Sequence, residues 1–140
     1  MDREFKRELI LDNYNNPKNR GLVEDESYHT HRTNNESCID DLNIQIKVED
    51  NVIKDIRFDG EACAISTSAT SIMIETFIGK TLDEAEEIIK NYENMIDEKE
   101  YNEELLEGLV AYDEIYKQPN RKKCALLPFR AIKEEIEERK

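Results

Sequence analysis

The chain has no stretch that could cross a membrane as a helix, since no apolar run reaches the roughly 18 residues required. Its opening, Met1-Asp2-Arg3-Glu4-Phe5-Lys6-Arg7-Glu8, is charged almost throughout and does not read as a signal peptide. A cytoplasmic protein is expected. Basic residues are scarce: 20 Lys and Arg against 33 Asp and Glu leave a net charge of −13. That balance argues against a general affinity for nucleic acid or anionic membrane, and leaves room for a partner with a basic patch. Internal repeats and low-complexity tracts are absent. Cysteine is rare and odd in number, at three, which argues against a disulfide framework in a reducing compartment. No Cys-x-x-Cys pair is present, so the pattern is not that of a zinc finger. The thiols are therefore buried and inert, metal-binding or reactive.

What is present suits a single folded domain of 140 residues, 38% apolar and 38% charged, long enough to bury a core without cross-links. A first helix is expected from Asp2 to about Tyr14, with Phe5, Leu9 and Ile10 apolar, stopped by Asn15-Asn16-Pro17. A loop follows from Lys18 to Asp25, then a short strand over Ser27 to Thr33. Leu42, Ile44, Ile46 and Val48 alternate with Asn43, Gln45, Lys47 and Glu49, which is the signature of a half-buried strand. Asp50-Asn51 makes a turn, and Val52 to Phe58 returns as its partner. The expected fold class is α+β: a small antiparallel sheet of about three strands with helices packed on one face. Ser66-Thr67-Ser68 can cap a helix carrying Ala69, Ile72, Met73 and Phe77 that ends at Gly79. Thr81 and Glu84 form a capping-box pattern before the stripe Ala85, Ile88, Ile89, Tyr92 and Met95. Asn102 is placed to cap a third helix with Leu105, Leu106, Leu109 and Val110. Pro128 suits the first turn of a last helix with Phe129, Ile132 and Ile136 facing the core. Cys124 is then expected near that helix's N-terminus, where the dipole favours thiolate.

The polar stretch Asn34 to Asp41 holds one thiol, Cys38, and a carboxylate two residues on, Asp40. Cys38 precedes the first strand of the expected hairpin and Cys63 follows the second. In an antiparallel hairpin those points lie at the same end of the sheet. Cys38, Asp40 and Cys63 thus share a neighbourhood, and Cys124 would complete three sulfurs and one oxygen, a closed four-coordinate zinc set. The gaps of 24 and 60 residues between successive cysteines are not themselves diagnostic. The polar setting of Cys38 is unusual for a thiol that only packs. Held on zinc, Cys38 would be a shielded thiolate, which suggests a gated nucleophile for sulfur chemistry. His29 and His31 share one face of their strand and are read as solvated rather than ligating. Glu134 to Lys140 is read as a solvated helical end. Arg121-Lys122-Lys123 is read equally as a solvated run or as serving the site.

Four segments carry a family resemblance: Tyr14-Asn15-Asn16-Pro17-Lys18-Asn19-Arg20-Gly21; Asn35-Glu36-Ser37-Cys38-Ile39-Asp40; Gly60-Glu61-Ala62-Cys63-Ala64-Ile65-Ser66; and Arg121-Lys122-Lys123-Cys124-Ala125-Leu126-Leu127. In this order, and over nearly the whole chain, they resemble the SufU branch of the IscU/NifU-like iron–sulfur assembly proteins. The long gap before the third cysteine resembles the SufU type, as does Lys123 where IscU-type scaffolds carry histidine. So does the lack of a Leu-Pro-Pro-Val-Lys motif. The resemblance implies one IscU/SufU-like domain over residues 1–140, with a helical insertion around 91–112. It further implies a zinc-dependent sulfurtransferase, with Cys38, Asp40, Cys63 and Cys124 on Zn²⁺ and Cys38 the acceptor of persulfide sulfur. The implied partners are a pyridoxal-phosphate cysteine desulfurase of the SufS type and a downstream iron–sulfur scaffold, with the chain a monomer or weak homodimer. In the family, a desulfurase histidine takes the place of the first cysteine on zinc, and an arginine matched by Arg121 lies near the site. Two positions depart from the family motif: Glu36 stands for proline and Ile39 for glycine. A β-branched residue resists the φ > 0 that glycine allows, which implies a stiffer loop. Two other readings use the same residues: a scaffold assembling a [2Fe–2S] cluster or holding iron, and a non-catalytic zinc-stabilised module.

Overall fold

The computed structural model describes residues 1–35 and 39–140. Helix α1 (Arg3–Asn15) is followed by strands β1 (Tyr28–Asn34), β2 (Asp41–Glu49) and β3 (Val52–Glu61), then helices α2 (Ala64–Phe77), α3 (Leu82–Ile96), α4 (Glu103–Leu106) and α5 (Pro119–Glu138). Short 3₁₀ turns, Glu107–Tyr112 and Ile115–Lys117, lie between α4 and α5. Among the described residues the strands form one antiparallel sheet in the order β1-β2-β3, as expected.

The β2–β3 hairpin follows from its sequence. Asp50 and Asn51 take positive φ, 53° and 64°, the conformation that Asn and Asp tolerate and a tight hairpin turn needs. Leu42, Ile44 and Ile46 are then fully buried on one face, joined from β3 by Ile53, Ile56 and Phe58. β3 runs three residues beyond the expected end because Gly60, at φ +128°, lets it pass close to β2. A Cβ there would lie 2.2 Å from the Asp41 carbonyl oxygen. The pairing therefore extends to Asp41 opposite Glu61, bringing the residues just outside it, Asp40 and Cys63, together.

Helices α2, α3 and α5 supply most of the rest of the core, completed by Leu106 of α4 and by Leu109, Val110, Tyr112 and Ile115 of the 3₁₀ turns. The Thr81–Glu84 capping box is fully formed and starts α3 as expected. The α3 residue Tyr92 is fully buried, stacks on Phe129 with ring centroids 4.4 Å apart, and donates its hydroxyl to the Ala125 carbonyl at 2.9 Å. Three sequence expectations fail. The residue capping α2 is Cys63, not one of Ser66 to Ser68, so the helix starts earlier. The third helix breaks after one turn at Glu107, where φ is +48°, and continues as 3₁₀. Helix α5 begins at Pro119 rather than Pro128, which lies mid-helix. The first helix forms where expected, with Asn13 its one buried residue, Leu9 and Ile10 half-buried and Phe5 53% exposed.

Candidate metal centre

Three of the four expected ligands converge. Asp40, Cys63 and Cys124 each present a donor atom, and all three atoms lie within 4.8 Å of one another. The fourth, Cys38, lies outside the described residues, as does Glu36, one of the two departures from the family motif. The other departure, Ile39, is 69% exposed.

Each donor is held by a different element. Asp40 stands at the foot of β2, where its carbonyl accepts the Asn35 N–H at 3.0 Å. Its Oδ1 accepts the Cys63 N–H at 2.7 Å, and its Oδ2 lies 3.8 Å from Cys63 Sγ. Cys63 caps α2, its sulfur accepting the Ser66 N–H at 3.4 Å, so the helix dipole favours negative charge on it. Cys124 sits in the second turn of α5 and is almost wholly buried. Arg121 occupies the exposed first turn of the same helix.

Two residues bind this arrangement that sequence reasoning did not assign to it. Ser66 is fully buried, and its Oγ lies 2.6 Å from Asp40 Oδ2 and 3.0 Å from the Cys124 carbonyl oxygen. That carbonyl is available because the residue four positions on is Pro128, which has no N–H to continue the helical ladder. Both signals were readable: serine at the third helical position after a capping cysteine, and proline four residues beyond another.

The donor set fits a thiophilic dication. Burial pushes the Cys124 thiol up to about 12, helped by hydrogen bonding and charge from Cys63 and Asp40. Negative charges on donors packed so closely repel one another, whereas a cation among them stabilises every charge at once. A tetrahedral ion with ordinary zinc bond lengths places neighbouring donors roughly 3.5–3.8 Å apart, comparable with the Cys63–Asp40 separation. Zinc when bound would be held by Asp40, Cys63 and Cys124, and would keep both thiols ionised.

The two histidines part ways: His29 is exposed, as expected, whereas His31 is not. His31 is buried, with Nδ1 3.0 Å from Glu134 and Nε2 2.8 Å from Glu135. His29 Nδ1 lies 3.0 Å from Glu135, whose side chain is fully buried and also takes Arg139. The helical end is solvated as expected at Glu134 and from Glu137 onward, but Glu135 is buried at the centre of an ion-pair cluster, because β1 lays both imidazoles against α5.

The chain matches the NifU-like N-terminal domain over residues 5–127. It belongs to that family. This NifU-like chain is 31% identical over 131 residues to the zinc-dependent sulfurtransferase SufU of Bacillus subtilis, spanning 93% of this chain and 88% of that protein. It is 34% identical over 129 residues to the iron–sulfur cluster assembly scaffold protein IscU of Thermotoga maritima, spanning 92% and 90%. In structure it is similar to a candidate iron–sulfur cluster assembly scaffold for the SUF system from Fervidobacterium islandicum. The TM-score is 0.86 at 36% identity, covering 90% of this chain and 92% of that one. The expected IscU/SufU-like fold is thus the observed one.

Proposed function

We propose that this chain serves iron–sulfur cluster assembly as a zinc-dependent acceptor and carrier of persulfide sulfur. The observation that carries this reading is the meeting of one carboxylate and two thiols, Asp40, Cys63 and Cys124, with Cys38 two residues before the carboxylate in the sequence. Cys38 is the acceptor, and Cys38, Asp40, Cys63 and Cys124 are the zinc ligands. The partner is a pyridoxal-phosphate cysteine desulfurase. In the transfer, the Cys38 thiolate attacks the outer sulfur of the desulfurase persulfide. A sulfur–sulfur bond forms at Cys38, the one in the donor breaks, and the desulfurase cysteine leaves as thiolate. Asp40, Cys63 and Cys124 stay behind as the fixed part of the centre. Arg121, three residues before Cys124, is the auxiliary cation that offsets negative charge there. We also read residues 91–112 as the insertion that marks the SufU type, and the cytoplasm as the location.

The similarity to IscU-named scaffolds supports a second reading, in which the same ligands hold a nascent [2Fe–2S] cluster. Lys123 in place of a potential histidine ligand favours the first. The deciding experiment purifies the protein aerobically, counts zinc and iron, and measures desulfurase turnover with and without it. One zinc per chain and stimulation abolished by Cys38→Ala are expected. An iron–sulfur chromophore without stimulation would overturn the proposal.

A further inference from the structure

We propose that the Ser66 hydroxyl is a two-position donor that sets how readily Asp40 leaves the metal, an inference that rests on the zinc reading above. Ser66 is fully buried and has one hydroxyl proton, yet two oxygen acceptors lie within reach, Asp40 Oδ2 at 2.6 Å and the Cys124 carbonyl at 3.0 Å, with Cys63 Sγ a longer and weaker contact at 3.7 Å. The second acceptor exists because Pro128 removes the N–H that would otherwise bond it.

The two acceptors compete differently in the two states of the centre. Asp40 Oδ1 is engaged by the Cys63 N–H, so Oδ2, on the thiol side, is the oxygen that turns to a metal. When Asp40 is off the metal, Oδ2 carries full carboxylate charge and draws the Ser66 proton into a charge-assisted hydrogen bond. When Oδ2 is ligated, the dication withdraws that charge and the Cys124 carbonyl becomes the better acceptor. Ser66 therefore stabilises the unligated carboxylate more than the ligated one, and Pro128 keeps the alternative acceptor open. Ser66 acts as a positioning residue for loss of the metal from the centre; during sulfur transfer Asp40 stays ligated, and Ser66 touches no sulfur being transferred.

The test is the rate at which zinc passes from the loaded full-length protein to a chromophoric chelator. Ser66→Ala removes the donor that favours the unligated state, and release is expected to slow about five- to tenfold, the gap between a charge-assisted and a neutral hydrogen bond. Pro128→Ala supplies an N–H to the Cys124 carbonyl, biases Ser66 toward Asp40, and is expected to speed release a few-fold. Opposite signs are the signature, because a site merely loosened by substitution releases faster in both variants. Release at or above the parent rate in Ser66→Ala overturns the proposal. Should that variant not fold, Ser66→Gly, which removes the hydroxyl, is compared with Ser66→Thr, which keeps it: slower release from Ser66→Gly is expected, and release from it at or above the Ser66→Thr rate overturns the proposal. Asp40→Ala is the control: if it leaves zinc binding unchanged, the zinc-centre reading itself has failed rather than the role of Ser66.

Discussion

Helix α5 carries two buried clusters of titratable groups, and they are built on opposite logic. Around Cys124, in its second turn, every group is an acid: two thiols and the Asp40 carboxylate, drawn from β2, α2 and α5. Around Glu135, three helical turns further on, each carboxylate already faces a cation or an imidazole: His29 and His31 from β1, and Arg139 one turn along. Both ring nitrogens of His31 point at carboxylate oxygens, a geometry in which only the imidazolium donates through both. One cluster brings imidazoles and a guanidinium to its buried carboxylate, whereas the three described donors of the other are all acids, a set suited to a cation bound among them. Burial of ionisable groups alone therefore does not mark a ligand site; the balance of charge among them does.

The largest expected effect breaks the thiol end. Asp40→Ala removes an oxygen donor and the acceptor of the Cys63 N–H. Zinc affinity measured by chelator competition is expected to fall by more than roughly 100-fold, beyond the range seen when only supporting residues are changed. Unchanged affinity would mean that Asp40 is not a ligand. At the other end, Glu135→Gln leaves His31 and Arg139 without their shared anion. Denaturant unfolding should show a loss of about 3 kcal/mol, typical of breaking a buried pair from one side, with zinc affinity unaltered. A coupled loss of zinc would show that the two clusters are not independent.

The smallest effect concerns pH. Burial, the largest single influence on His31, works to depress its pKa, but hydrogen bonds from Glu135 and Glu134 and the surrounding negative charge together outweigh it. The result lies above the ordinary 6.5. Burial likewise tends to raise Glu135, and is outweighed by His31 and Arg139, so its pKa falls below the ordinary 4.5. The imidazolium's stabilisation is thus fully present below pH 6.5 and lost as pH rises through the elevated folded value. The carboxylate's is present above pH 4.5 and lost as pH falls through the depressed one. Stability of the metal-free protein is expected to decline on the alkaline side of pH 6.5, and His31→Asn should flatten that decline. A slope unchanged in His31→Asn would assign it to other groups.

Much of this was legible in the residues. Alternation from Leu42 to Val48, with Asp50-Asn51 as the turn, fixes the hairpin and with it the shared end of the sheet where Asp40 and Cys63 meet. The capping box at Thr81 is equally local. What escaped was decided by tertiary partners. Two prolines, Pro119 and Pro128, each suit a helix start, and the mid-helix position of Pro128 is tolerable because Ser66 takes the carbonyl it strands. Such a proline otherwise destabilises a helix by about 3 kcal/mol. A cysteine as helix cap follows no strong propensity, and its selection over Ser66 reflects the Asp40 carboxylate waiting for its N–H. Glu135 looks solvated in any sequence pattern, since nothing local announces that two histidines about a hundred residues earlier will cover it.

Helix α1 carries a consequence of a different kind. Its one fully buried residue is polar: Asn13, whose Oδ1 accepts the Ser71 hydroxyl at 2.6 Å, while Ser71 Oγ in turn accepts the Lys18 N–H. A helix whose apolar contacts with the core are made by only half-buried side chains, Leu9 and Ile10, opens at lower free energy than the core. Its amides should exchange with solvent well before those of β2, α2 or α5. None of the three described donors lies on α1, so this local opening leaves the centre's framework standing.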